Sequence, residues 1–390
     1  MKLTMRDEAV VENPIGVKLK LKASLEAKLP KNSTDRARKD WHARRRPRPC
    51  GLTVHPGIGC TGGCVYCYVP ELGFDMGVAV PYGLTGLELV YALLCNPYFV
   101  PGGMGTFLAF GSVTDPFLPG VREKSLEYAF AVKKRLGNPV QMATKQFISE
   151  ELASHLGKRF ERGGLNVLIT IVAKNNWKRI EPNVASYEQR IETIRNLTRH
   201  GLKASLFLRP LLPFVDLEEV EEILRDAKEA GAFSVVAGSL MVNDRILKRM
   251  KKAGLDTSLV RKRIVGPLNR RLRSIRSRDL KKDVENLAKE LGLLFFNSAC
   301  CSLAYASGVP CWGICWTSSF CVNCPNACRE KVPNYGLDEV NSMLNLAFPG
   351  KATVVDMDPE SVKVRLADKG VKEAVRVLLR TITRRIVSFA

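Results

Sequence analysis

The run Gly51-Leu52-Thr53-Val54-His55-Pro56-Gly57-Ile58-Gly59-Cys60-Thr61-Gly62-Gly63-Cys64-Val65-Tyr66-Cys67-Tyr68 opens on a short apolar segment and closes on three cysteines spaced CxxxCxxC, with Tyr66 directly before the third. Three thiolates in one loop can hold three irons of a 4Fe-4S cluster, whereas a full set of four would saturate it and leave an electron carrier. One iron then stays open. An open iron on a reducing cluster can chelate S-adenosylmethionine (SAM) through its amino and carboxylate groups, and an electron passed to the sulfonium releases a 5'-deoxyadenosyl radical. Zinc is the alternative occupant, but its sites usually pair thiols as CxxC with a second pair elsewhere. Here the remaining cysteine groups lie far downstream, so the spacing predicts cluster ligands at Cys60, Cys64 and Cys67.

Working outward, the apolar run before the loop reads as a first strand. Further β-branched or apolar runs follow at Thr106 to Gly111, Val140 to Thr144, Asn166 to Ala173, Ala204 to Leu208 and Phe233 to Ala237. Between them lie segments with helical periodicity, at Arg122 to Leu136, Ser149 to Phe160, Ser186 to His200 and Leu217 to Ala230. Ser149 and Asp216 precede paired glutamates as N-caps, and Gly137, Gly201 and Gly231 close the helices before them. Strands alternating with helices predict a parallel α/β sheet, curved by right-handed crossovers into a barrel or part of one. The chemistry of such a layout collects at the C-terminal strand ends, where the first cysteine loop falls.

Around this core, residues 1–48 read as an irregular basic arm, because apolar residues there are sparse and unpatterned. The predicted divisions are a barrel over 49–240, a basic, mainly helical segment over 241–298 interrupted at Pro267, a Cys-rich metal-binding segment over 299–332, and an α/β tail over 333–390. Leu293 to Asn297 is a candidate extra strand, and an amphipathic helix is expected from Lys372. The 390 residues, 46% hydrophobic, can bury a core of this size. No apolar run is long enough to span a bilayer, and the charged start Met1-Lys2-Leu3-Thr4-Met5-Arg6 does not read as a signal peptide, so a cytoplasmic protein with no membrane partner is expected.

Lysine and arginine number 60 against 39 acidic residues, a formal net charge of +21. Two segments concentrate it: Lys31 to Arg48 has eight basic and two acidic residues, and Arg245 to Lys282 has fifteen and two. Nucleic acid or another polyanion is one reading of these segments and a solvated basic face is the other.

The same residues resemble a known family. Leu52 to Gly57 leading into CxxxCxxC and Tyr66-Cys67-Tyr68 resembles the radical SAM superfamily, and within it the spore photoproduct lyase-like branch. Gly111-Ser112-Val113-Thr114-Asp115-Pro116, Thr144-Lys145, Ile180-Glu181-Pro182 and Glu188-Gln189-Arg190 agree with that branch in order. The resemblance covers roughly residues 50 to 240. It implies a partial (β/α)6 barrel of TIM type, a 4Fe-4S cluster on the three cysteines, SAM as cofactor, and an electron donor such as ferredoxin or flavodoxin. It further implies that Tyr66 offers its backbone to the adenine, that Ser112, Thr114 and Asp115 approach SAM, and that Lys145 and Thr170 meet its carboxylate. Leu208 and Arg209 would line the same pocket. In this branch the lyase proper sets a hydrogen-donating cysteine at the start of the strand-two loop, working with a tyrosine just after the third cluster cysteine. Tyr68 is present here, but Gly111 and Ser112 stand in the donor region, which puts thymine-dimer repair by that route in doubt.

Cys311, Cys315, Cys321, Cys324 and Cys328 form a second group, with Cys300 and Cys301 just before it. Five thiols within eighteen residues predict a metal site, read in a radical SAM context as an auxiliary 4Fe-4S cluster, with four-thiolate zinc as the alternative. Cys300 and Cys301 are the candidate replacements for the missing hydrogen donor. The functional expectation is a radical SAM enzyme that abstracts a hydrogen atom from a substrate, nucleic acid among the candidates. The alternative is a nonenzymatic iron-sulfur or zinc protein that binds nucleic acid.

Overall fold

The computed structural model describes residues 13–48, 51–161, 163–312 and 324–390. Seven strands form one sheet in chain order: β1 (Leu52–Val54), β2 (Leu108–Phe110), β3 (Val140–Thr144), β4 (Leu165–Thr170), β5 (Lys203–Leu211), β6 (Ser234–Ser239) and β7 (Leu294–Phe296). Every neighbouring pair is parallel. The order runs from β1 to β7 without returning, which makes the sheet an open, partial barrel. The seventh strand is the extra one expected at 293–297.

Crossover helices lie between successive strands: Gly86–Cys95, Arg122–Arg135, Glu150–Arg159, Tyr187–Arg199, Leu217–Glu229 and Arg278–Glu290. The caps act as their sequence suggests. Ser149 accepts from Leu152 N and Asp216 from Glu219 N, and Gly137, Gly201 and Gly231 take left-handed φ values of 70°, 73° and 99°. Strand residues such as Val140, Val167, Ile169, Ala204 and Val235 are buried, and the amphipathic helices set Val132, Leu156, Ile194 and Ile223 against them. The first crossover, Gly86–Cys95, is buried on nearly every side and shows no polar face by which periodicity would have marked it.

The N-terminal arm is not irregular. Pro14–Lys28 and Lys31–Lys39 are helices, followed by a 3₁₀ turn at Trp41–Ala43. Asn13 caps the first helix by accepting from Ile15 N and Gly16 N at 3.0 Å, and Pro14 starts it without spending an N–H. The arm docks through a few apolar residues, Ile15, Leu25 and Ala37, set among many basic ones, and through polar contacts, so its apolar pattern is sparse. Lys18 Nζ donates to Asn96 O at 2.6 Å and Phe99 O at 2.8 Å, satisfying carbonyls at the end of the first crossover helix. Arg36 pairs with buried Glu88, and Arg38 with Glu26 and Tyr91.

The basic segment is partly helical as expected, at Asp244–Lys252, Ser258–Lys262 and Arg278–Glu290, with a short ribbon joining Met241–Val242 to Arg273–Ser274. The C-terminal unit sets helices Leu337–Ala347 and Lys372–Thr383 on a three-stranded sheet of Ala352–Met357, Ser361–Leu366 and Ile386–Phe389. Among the described residues no helix is long and apolar enough to cross a membrane.

Helix Ala299–Ser307 plugs the N-terminal end of the barrel. Buried Ser302 Oγ lies 2.8 Å from Ser205 Oγ, 3.3 Å from Ser234 Oγ and 3.1 Å from Asn166 Oδ1. Gln141 Nε2 donates to Asn166 Oδ1 and to Ala299 O, both at 2.8 Å. Each of these strand residues lies near the start of its strand, so the polar network fixes the plug opposite the first cysteine loop.

Candidate active site

The first cysteine loop leaves β1 and is held from three sides. Val65 N donates to Ile180 O at 3.0 Å, Asn183 N to Gly62 O at 3.3 Å, and Cys60 N to Asp75 O at 3.0 Å. Gly63 is left-handed, at φ 65°, which turns the chain back between the first two thiols. A Cβ on Gly62 would lie 3.5 Å from Cys60 Sγ and 3.8 Å from Cys64 Sγ, so glycine leaves the space between those sulfurs clear. From the basic segment, Arg249 reaches the carbonyls of Val65 and Cys67 and pairs with Glu71 at 2.8 Å. Asn243 binds the other Glu71 oxygen at 2.8 Å. Part of the basic charge therefore clamps this loop, a role that composition could not assign.

Cys60, Cys64 and Cys67 line a cavity of about 460 Å³ with Tyr66, Tyr68, Ser112, Thr114, Asp115, Lys145, Thr170 and Arg209. Successive strand ends thus bring the expected residues together. Apolar walls come from Phe110, Leu168, Phe207 and Met241, and the floor is Ala299 at the head of the plug helix. Three buried polar atoms on this wall have no partner: Ser112 Oγ, Thr114 Oγ1 and Gln146 Nε2. Unpaired buried donors and acceptors are costly, and three of them on residues that border one cavity make that wall a candidate to bind a polar ligand. The donor set fits a 4Fe-4S cluster with SAM: three thiols in one loop, hydroxyls and an amide for the ligand, and a lysine ammonium beside them.

Burial pushes the Cys64 thiol up to about 12 although Lys145 opposes it, and burial raises Cys67 as well. Ligation must therefore displace protons from these sulfurs. Burial pulls the Lys145 ammonium down, but Cys64, Glu181 and Asp115 outweigh it and hold it above the ordinary lysine range. Lys145 Nζ stands 5.8 Å from the Tyr66 ring centre. Among the described residues no carboxylate pairs with it.

Asp115 is already engaged. Its Oδ1 accepts from Thr144 Oγ1 at 2.7 Å and Phe117 N at 3.0 Å, and its Oδ2 from Lys145 N at 2.7 Å. It ties the loop after β2 to the end of β3, a positioning contact. Tyr68, 38% exposed, donates to Ser112 O at 3.4 Å. Arg209 passes over Gly238, where a Cβ would meet its Cδ at 2.5 Å. Arg48, from the basic arm, also borders the cavity.

A buried chain that sequence reasoning quoted but gave no role runs behind the site. Tyr66 OH donates to Glu181 Oε1, and Arg190 Nη1 donates to Glu181 Oε2 and, at 2.9 Å, to Thr170 O. Glu181 and Arg190 side chains are both 0% exposed. Burial, then Glu181, holds the Tyr66 hydroxyl well above its usual range, so it stays a donor. Ile180-Glu181-Pro182 and Glu188-Gln189-Arg190 were visible as motifs, but only the fold reveals their pairing.

Cys300 and Cys301 do not line the cavity, although Ala299 does. Contrary to the hydrogen-donor expectation, their sulfurs gather with Cys311 within 4.8 Å of one another. Cys328 Sγ accepts from Cys311 N at 3.2 Å, and Cys324 lies in the half-buried layer around Phe296 with Cys301. Cys315 and Cys321 lie outside the described residues. Trp312 is a packing residue, buried with its Nε1 on Thr381 Oγ1 at 2.9 Å.

Residues 54–227 match the profile of the Radical SAM superfamily. Over 181 residues the chain is 29% identical to the Radical SAM Nalpha-GlyT isomerase of Pseudomonas phage M6, covering 43% of this chain and 35% of that protein. The chain thus spans about a third of that relative's length. A spore photoproduct lyase variant superposes with a TM-score of 0.51 at 17% identity, covering 64% of this chain and 78% of its own. Another variant of that lyase, with bound AdoMet and dinucleoside spore photoproduct, gives a TM-score of 0.47 at 16% identity over 63% and 76%. Residues 54–227 thus carry a radical SAM domain, and the chain shares its fold with spore photoproduct lyase.

Proposed function

We propose that this chain is a radical SAM enzyme that acts by hydrogen-atom abstraction on a substrate admitted to the cavity above Ala299. The observation that carries the reading is that Cys60, Cys64 and Cys67 border one cavity together with Ser112, Thr114, Lys145, Gln146 and Thr170. When bound, a 4Fe-4S cluster and SAM would supply a 5'-deoxyadenosyl radical. Cys60, Cys64 and Cys67 would hold three irons, and the Lys145 ammonium would neutralise the SAM carboxylate beside the open one. Ser112, Thr114 and Gln146 would satisfy the remaining polar groups. Tyr66 holds its loop against Glu181, while Phe110, Leu168 and Phe207 keep water from the space where the radical would form.

Nucleic acid is the substrate class this reading favours. Arg48 borders the cavity, and exposed Arg44 and Arg46 lie near it in sequence, with Arg44 stacked 4.9 Å over exposed Trp41. Arg261, Lys262, Arg270, Arg271, Arg276 and Arg278 are exposed on the second basic segment. An electron donor of the ferredoxin or flavodoxin class, with a cytoplasmic setting, completes the proposal.

Anaerobic reconstitution followed by dithionite and SAM tests the enzyme reading. 5'-Deoxyadenosine is expected from the intact chain and none from Cys64→Ala. An intact chain that binds iron yet yields none supports the nonenzymatic alternative and overturns the proposal. Binding to single-stranded DNA or RNA should fall steeply with added salt, and no binding at low salt would remove nucleic acid as the substrate class.

A further inference from the structure

The plug helix Ala299–Ser307 carries two adjacent cysteines at its head, and the fold brings Cys311 back onto them. The sulfurs of Cys300, Cys301 and Cys311 all lie within 4.8 Å of one another, with Cys311 Sγ 3.9 Å from Cys300 Sγ. That spacing discriminates between the two metals the sequence left open. Zinc–sulfur bonds of about 2.3 Å at the tetrahedral angle set neighbouring sulfurs about 3.8 Å apart. A 4Fe-4S cluster instead binds each thiolate at a different corner of a cube and spreads them wider. Cys60, Cys64 and Cys67 do not all fall within 4.8 Å of one another, in keeping with a cluster. The two cysteine groups therefore differ in gauge.

Charge gives a second, independent observation. Arg384 is 0% exposed, and its guanidinium donates to carbonyls alone: Thr381 O at 2.6 Å, Met104 O at 2.7 Å and Gly105 O at 3.2 Å. Among the described residues no carboxylate pairs with it, and Arg384 Nε has no partner. A fully buried cation needs an anion nearby. Burial pulls the Arg384 guanidinium below its usual range, and the nearby Cys311 and Cys328 oppose that. Cys328 Sγ accepts from Cys311 N at 3.2 Å and Asn326 Nδ2 at 3.0 Å, contacts that orient the sulfur.

We propose that Cys300, Cys301 and Cys311 supply three thiolates to a single divalent ion of the zinc type, that Cys328, which contacts Cys311 but lies outside the 4.8 Å group, moves in as the fourth, and that buried Arg384 balances the charge. Loading one ion releases four thiol protons to solvent and leaves a complex of net charge −2, with no change of oxidation state. The site is closed and therefore structural. It ties the plug helix to the turn at Cys311 and to the segment entering the C-terminal unit, and so fixes Ala299 as the floor of the cavity.

The test uses the full-length chain with Cys60, Cys64 and Cys67 all changed to Ala, so that the first loop contributes no metal and the result is independent of the SAM reading. About one zinc per chain should co-purify. Exchange for cobalt should give the visible bands of tetrahedral cobalt with strong near-ultraviolet thiolate charge transfer, whose intensity reports the number of thiolates without any further variant. Cys300→Ser and Cys311→Ser should each weaken that charge transfer, whereas Cys315→Ser with Cys321→Ser should leave it intact. About four irons with the broad visible absorption of an iron–sulfur cluster, or no retained metal, would overturn the proposal. So would a cobalt spectrum abolished by the Cys315 and Cys321 changes.

Discussion

The buried chain from Tyr66 through Glu181 to Arg190 makes a sharp quantitative prediction. Both charged side chains are 0% exposed, and Glu181 divides its oxygens between Tyr66 OH and Arg190 Nη1. Changing Arg190 to Leu leaves a carboxylate in the interior with one neutral donor and strips Thr170 O of its partner. Breaking a buried ion pair in this way costs about 3–5 kcal/mol, because the surviving charge has lost both water and its counterion. Glu181→Leu strands the guanidinium and should cost a similar amount. The double variant removes both charges, so its cost should resemble that of one single change rather than the sum. The coupling in a double-mutant cycle is then about 3 kcal/mol or more. Urea midpoints and slopes of the four proteins give the cycle directly. Iron retained after reconstitution should fall in both single variants, since the chain holds the loop that carries Cys64 and Cys67. Single costs below about 1 kcal/mol, or additivity within about 0.5 kcal/mol, would refute the claim that this pair anchors the loop.

Three further outcomes follow from particular contacts. Gly111 has φ 94° and a Cβ there would lie 2.7 Å from Ala143 O, so Gly111→Ala should lower stability by about 1–3 kcal/mol from backbone strain alone, read as a drop in the urea midpoint. Ser302→Val removes a hydroxyl shared by Ser205, Asn166 and Ser234 and should cost about 1–3 kcal/mol; a neutral effect in the same assay would show that the plug does not depend on this network. His55 is pulled down to about 3, first by burial and then by Arg45. The unfolded chain takes up this proton near 6.5 and the folded chain only near 3, so its stabilising contribution is full above about 6.5 and is lost as pH falls through that window. His55→Phe should flatten the pH dependence of unfolding between about 4 and 6.5, and an unchanged slope would exclude His55 as its source.

The barrel was legible because its strands and amphipathic helices carry local signals: short apolar runs, N-capping Ser149 and Asp216, and closing glycines. Two kinds of element escaped. The helix Gly86–Cys95 is buried nearly all round and has no periodic face, and the N-terminal helices dock through Lys18, Arg36 and Arg38 as well as a few apolar residues such as Ile15 and Leu25. At the candidate site, Cys60, Cys64 and Cys67 announce themselves by spacing because they share one loop. The Glu181–Arg190 pair and the Arg249 clamp do not, since their meaning lies in contacts across 9 to 184 residues. Cys300 and Cys301 read as possible donors from their place in the sequence. Only the return of the chain at Cys311 shows them to be part of a thiol group beneath the barrel.

The strong positive balance takes a different meaning once its members are located. Lys145 stands beside Cys64, Arg249 grips the carbonyls of Val65 and Cys67, and Arg384 is buried near Cys311 and Cys328. Each cysteine group thus has cations at its back. Thiolates are the metal-binding form, and neighbouring positive charge favours them over thiols. Burial works against this, as the raised Cys64 thiol shows, so the cations offset a penalty the fold itself creates. Removing one without altering a ligand should therefore weaken metal retention more at high proton concentration than at low. Arg249→Gln is the direct case, because it deletes the charge while keeping an amide donor on a shorter stem. Iron bound by the first loop should fall more steeply below neutral pH in this variant than in the parent. Equal pH profiles would assign Arg249 to packing and leave the charge of the basic segment to an external polyanion.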